Sequence, residues 1–334
     1  MRAVLHSVGR IAVHAALAAT LAGAPTVVMA DGPSDWRLEF PDTDFTIASI
    51  DFDEIITDGP RRDQIPPIDD PKFVPAATAK GIGAREPVIS VGINGDFRAY
   101  PLRILLWHEI VNDVVGGMPI LVTYCPLCNS GVVFDRRIGG EVVEFGNTGR
   151  IRHFDMVMYD KATESWWQQF LGEAIVGELT GTRMSVIPAR LESVEKFQER
   201  APDGKLLVPS DHRARPYGQT PYVNMDQAEL PRERFGGNLP DDIEPIARLI
   251  VVGDEAWTLD LLEEKGRLES GDIVLTWQPG QNSIHDAGVI SQGRDVGNVV
   301  VQRRTADGLE DVAYDVAFAF AFAAFIPDGT IHRE

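Results

Sequence analysis

The stretch Leu121-Val122-Thr123-Tyr124-Cys125-Pro126-Leu127-Cys128-Asn129-Ser130 decides how this chain is read. It opens as a β-prone run and then meets a proline-centred knuckle that carries both cysteines of the protein. The same stretch aligns without a gap to Val274-Leu275-Thr276-Trp277-Gln278-Pro279-Gly280-Gln281-Asn282-Ser283. Upstream, residues 99–105 (Ala-Tyr-Pro-Leu-Arg-Ile-Leu) align to residues 256–262 (Ala-Trp-Thr-Leu-Asp-Leu-Leu), and the second copy is four residues shorter between the two blocks. Two blocks in the same order predict an internal duplication. In the second copy glutamine replaces both cysteines, and His108 falls in the shortened region. A knuckle that tolerates glutamine does not need cysteine for its shape, so the cysteines and the histidine are expected to share a chemical task.

Working outward, residues 88–93 read as a strand, Asn94-Gly95 as a hairpin turn and residues 97–100 as the return strand. Residues 102–115 space their apolar side chains like a helix, stopped by Gly116-Gly117. Residues 120–124 and 131–135 read as further strands. Residues 316–326 alternate phenylalanine with alanine through Phe318, Phe320 and Phe322, a period of two that predicts a buried strand. The expected fold is α+β, strand-rich, with two degenerate internal repeats packed as one unit. A single domain over 85–330 would hold repeat 1 (about 85–200) and repeat 2 (about 245–330). A Pro- and Asp-rich N-terminal extension, 31–84, would precede it.

The first thirty residues read as a signal peptide. Arg2 and Arg10 supply the positive end, residues 11–24 the apolar core and Val28-Met29-Ala30 the small-x-small cleavage site. The apolar core is shorter than the ~20 residues a bilayer demands. The expectation is therefore a periplasmic or secreted protein with no membrane span in the mature chain. Removing residues 1–30 takes away two arginines and no acid, which leaves 29 basic against 50 acidic side chains. Such a surface repels nucleic acid and anionic lipid.

Two thiolates at the Cys-Pro-Leu-Cys spacing can hold one soft metal ion, as in a zinc knuckle. With only two cysteines, other residues must complete any site. His108, on the segment Trp107-His108-Glu109, is the first choice for a third ligand beside Cys125 and Cys128, with zinc or copper as the metal. Met156 and Met158 could add a thioether for Cu(I), and His153 and Asp155 lie near them in sequence. Glu109 and Cys125 are the catalytic candidates, Glu109 as an orienting group or general base. Two other chemistries stay open. One is a thiol–disulfide oxidoreductase using the Cys pair, although the residues after Cys128 read as a strand and lack the helix N-terminus that activates such a thiol. The other is a non-catalytic ligand-binding module with a structural Cys pair and aromatic loops around Tyr217 and Tyr222. Whether the partner is a small molecule, a metal or a protein is not specified by these residues.

Several segments, taken in order, resemble the domain of unknown function 3179 family: Arg98–Leu102, Trp107–Asp113, Tyr124–Ser130, Val133–Arg136, Met158–Asp160, Gly177–Arg183, the Pro216–Tyr222 loop and the run into Phe325-Ile326-Pro327-Asp328-Gly329. The resemblance covers most of residues 85–330. It implies an often exported bacterial or archaeal protein and marks the paired cysteines and the His-Glu segment as family features. It implies no activity. Arg152-His153-Phe154 departs from the small polar and apolar residues such a protein would carry there.

Overall fold

In a computed structural model, which describes residues 34–229 and 231–334, the Asn-Gly hairpin forms as expected. Pro87–Ile93 and Asp96–Pro101 pair antiparallel, with Asn94 and Gly95 at φ 49° and 82°. The expected signal peptide lies outside the described residues.

Two expected elements are corrected. The helix after the first hairpin runs only over Leu102–His108, and Ile110–Val115 is a strand paired with Met118–Thr123. Glu109 breaks the helix by taking a left-handed φ of 58°. The next six residues include four β-branched ones, whose χ1 stiffness favours a pleated surface over a helix. Likewise the Phe–Ala run is a strand only over Asp315–Phe318 and then a helix over Ala319–Phe325. Alanine is the strongest helix former, and a helix buried on nearly every side shows no polar stripe to distinguish its period from a strand's.

Among the described residues the architecture is strand-rich, with five α-helices of at most seven residues and a propeller-like arrangement of six small sheets. The first hairpin lies in a five-stranded sheet with Arg190–Ser193, Lys205–Val208 and Lys72–Pro75. A second five-stranded sheet is built on the hairpin Phe145–Arg152 and Asp155–Asp160. Ile110–Val115, Met118–Thr123 and Val133–Asp135 form a three-stranded sheet. Later in the chain, Arg248–Val252 and Glu255–Thr258 form a hairpin followed by the helix Leu259–Lys265 and the hairpin Arg267–Ser270 and Ile273–Gln278.

The order hairpin, helix, hairpin thus occurs twice. In both halves a later strand joins the first hairpin antiparallel on one side, and another joins it parallel on the other. The knuckles differ, however. Cys125 bridges back to Ser130 across a closed turn, whereas the strand Ile273–Gln278 runs into a bend and Asn282 bridges Asp295. The expected duplication is not established by element order alone.

One apolar cluster positions the site. It contains Cys125, Cys128, Phe134, Met156, Met158 and Trp167, and Phe318 and Phe320 from the C-terminal strand and helix pack into it. The knuckle is therefore covered by residues almost two hundred positions away, which also bind it directly.

Candidate metal centre

The knuckle is closed by its own backbone. Cys125 N–H donates to Ser130 O at 2.8 Å, and Ser130 N–H donates back to Cys125 O at 3.2 Å. Asn129 sits at φ 53°, a conformation that asparagine tolerates better than other non-glycine residues, and its Oδ1 accepts from Tyr124 Oη at 3.0 Å. This turn places both sulfurs inside the protein, Cys125 at 2 % exposure and Cys128 at 0 %.

The third group at the sulfurs is Asp155. It begins the strand Asp155–Asp160, after a two-residue hairpin turn made by His153 and Phe154 at φ 49° and 62°. Such a turn normally takes Asn-Gly. A bulky residue held left-handed costs on the order of 1–3 kcal/mol, strain that tends to persist at functional sites. The reward here is position: Cys128 Sγ donates to Asp155 Oδ1 at 2.9 Å, and Phe154 O lies 3.7 Å from Cys125 Sγ. One ligating atom from each of Cys125, Cys128 and Asp155 lies within 4.8 Å of the others, and all three residues are buried. The second carboxylate oxygen of Asp155 accepts from Gln168 Nε2 at 2.6 Å and from Phe170 N–H at 2.9 Å. These bonds fix its orientation, as outer-sphere donors do for ligating carboxylates.

Glu109 lies behind this trio. The left-handed turn that ends its helix aims the carboxyl inward, where Oε2 accepts from Asn147 Nδ2 at 2.6 Å. Burial, reinforced by the nearby Asp155 carboxyl, pushes Glu109 up to about 8. Burial also raises Asp155 and the Cys125 thiol from their ordinary values and drives the Cys128 thiol well above its own. Among the described residues no ion pair reaches Asp155 or Glu109. Four acidic groups thus share one buried site, and burial favours the protonated form of each. A cation entering there would displace protons and take their place.

Of the residues expected at the site, Cys125 and Cys128 meet, with Glu109 beside them, and His108 does not join the group. His108 is half-buried and both ring nitrogens are used: Nδ1 donates to Pro66 O at 2.9 Å, and Nε2 accepts from Tyr217 Oη at 2.8 Å. Its ring stacks on that of Tyr217, and burial lowers its pKa. The helix carrying it places Glu109, one residue further on, toward the sulfurs instead. His153 contacts Glu54 through Nε2 at 3.1 Å. Met156 and Met158 are buried in the same cluster, and the Met156 sulfur accepts from Asn147 Nδ2 at 3.4 Å.

Residues the sequence did not flag hold the knuckle from outside. His285 Nε2 lies 2.7 Å from Pro126 O, Phe318 N–H donates to Cys128 O at 2.8 Å, and Asp315 Oδ1 accepts from Gly131 N–H at 2.8 Å. Asn129 Nδ2 donates to Val316 O at 2.7 Å. Only the position of His285, two residues after the second aligned block, could have hinted at its role.

Fold and site together define a strand-rich protein with a buried thiol–carboxylate group. The chain belongs to the family described as "Protein of unknown function (DUF3179)", whose profile matches residues 62–329. No curated protein and no solved structure matches it. Among the described residues no helix is long and apolar enough to cross a membrane.

Proposed function

We propose that this is an exported, periplasmic or secreted protein that binds one zinc or copper ion through Cys125 Sγ, Cys128 Sγ and an oxygen of Asp155. The observation that carries this reading is the convergence of three buried ligating atoms within 4.8 Å of one another, with no ion pair to Asp155 among the described residues. Thiolates with one carboxylate suit zinc, and the two sulfurs also suit copper. Three protein ligands leave a fourth tetrahedral position, the arrangement of sites that carry out chemistry or pass a metal on. We assign Glu109, the other buried carboxyl near the cysteines, to proton transfer at that position.

Burial favours this reading over thiol–disulfide exchange. Neither sulfur is open to a partner protein, both thiols are raised rather than activated, and the segment after the knuckle leads into the strand Val133–Asp135. Elemental analysis of untagged protein tests the proposal. About one zinc or copper per chain is expected, lost in Cys125→Ser and Asp155→Asn and retained in His108→Ala. Metal-free wild type that refuses added zinc and copper would sink it. Export rests on the Val28-Met29-Ala30 site, and mass spectrometry of protein recovered from outside the cytoplasm should find a chain that starts at Asp31. An intact Met1 there would refute cleavage.

A further inference from the structure

His285 is fully buried, and its environment fixes its tautomer. Pro126 O can only accept, so Nε2 carries the proton, and Nδ1 then accepts from Arg248 Nη2 at 3.3 Å. Arg248 is itself buried. Its Nη1 pairs with Asp226 Oδ1 at 2.5 Å, its Nη2 donates to Ser283 Oγ at 3.0 Å, and the guanidinium lies over the Phe318 ring. Asp226, whose side chain is wholly enclosed, takes a second bond from Arg294 Nε at 3.0 Å, and its backbone N–H donates to His285 O at 3.0 Å.

The result is a polar chain, Asp226–Arg248–His285–Pro126 O, that runs through the protein interior and ends on the turn between the two cysteines. Burying an ion pair and a histidine together is costly and contributes little net stability. The chain is directional, though. Asp226 orients Arg248, Arg248 locks the tautomer of His285, and His285 delivers one N–H to the carbonyl of Pro126, which lies between the two cysteines in sequence. A serine-like backbone donor would suffice for satisfaction; a locked imidazole adds a rigid reach from a different part of the chain. Tyr222 completes the enclosure, with its ring 5.9 Å from that of His285.

We propose that His285 is a positioning residue for the Cys125–Cys128 pair, holding the knuckle through Pro126 O in the geometry that binds metal, with Arg248 and Asp226 fixing its orientation. This rests on the metal reading of the Cys125–Cys128–Asp155 site.

The experiment loads the metal-free full chain with Co(II), whose thiolate charge-transfer and d–d absorption bands report sulfur ligation and geometry. It compares wild type, His285→Met, His285→Gln and Arg248→Lys at a temperature where each is folded by circular dichroism. His285→Met removes the donor at similar volume and should weaken Co(II) binding on the order of 10–100-fold, the usual consequence of losing an outer-sphere partner, with shifted d–d bands. His285→Gln presents an N–H at the place of Nε2 and should restore affinity to within about threefold of wild type, a rescue that a purely volumetric role would not give. Should His285→Met fail to fold, Arg248→Lys carries the test. It keeps the charge for Asp226 but loses the planar fork that reaches His285, so weaker Co(II) binding and altered bands are expected. Wild-type affinity and spectra in His285→Met, or in Arg248→Lys when that variant is the folded one, overturn the proposal. Equal loss in His285→Met and His285→Gln overturns it as well. Wild type that gives no thiolate–Co(II) band removes the metal reading itself, and the positioning role falls with it.

Discussion

Replacing Glu109 by glutamine tests the electrostatics of the buried cluster directly. In the metal-free protein the Glu109 carboxyl is held at about 8 by burial and the neighbouring Asp155, against 4.5 for an unperturbed group. Between those values the folded state keeps a proton that the unfolded chain has released. The Glu109 contribution to wild-type stability therefore falls as pH rises from about 4.5 to about 8 and levels off above that. The slope is about 1.4 kcal/mol per pH unit for a single group, so from pH 4.5 to pH 7.5 the penalty approaches about 4 kcal/mol. Glutamine carries no such proton, and its side-chain oxygen can still accept from Asn147. Urea unfolding of chelator-treated protein, followed by tryptophan fluorescence, should show the two proteins alike at pH 4.5. At pH 7.5 the variant midpoint should be higher by about 1 M, given an m-value near 3 kcal/mol/M for a chain of this size. Parallel pH profiles, with the same offset at both values, would refute the reasoning and place the Glu109 charge in contact with water.

Two further outcomes are expected. Gly149→Ala should destabilise the fold by more than about 2 kcal/mol, because a Cβ there would stand 1.9 Å from Pro60 O at φ 74°; Gly253→Ala, with open space at φ 63°, should cost only about 1 kcal/mol, and equal thermal shifts for the two would contradict the close approach of the Pro60 segment. For Asp226 burial alone would raise the carboxyl, but Arg248, Ser283 and Arg294 hold it down to about 2, so its contribution is fully present above the unfolded value of 3.8 and is lost as pH falls toward 2. That contribution is worth about 2 kcal/mol, and Asp226→Asn should flatten acid unfolding between pH 4 and 2; an unchanged acid limb would mean the ion pair does not persist in solution.

What the sequence determined by itself was local. Asn94-Gly95 dictates a hairpin because few other dipeptides accept two left-handed residues, and Cys-Pro-Leu-Cys dictates a tight turn that turns two sulfurs to one side. The Trp107-His108-Glu109 segment was legible as chemistry, but which of its polar side chains faces the sulfurs depends on the single left-handed residue that ends the helix at His108. Periodicity misjudged the residues after Glu109 and after Phe318, because buried segments offer no polar face against which to measure a period. Asp155 and His285 acquire their roles only in three dimensions. One is carried to Cys128 by a hairpin turn whose residues, His153 and Phe154, give no local sign of turning, and the other reaches Pro126 across 159 positions of chain. Short-range backbone preference is written residue by residue; the partner of a buried polar group is set by which distant strands the core brings together, and that is a property of the packed fold alone.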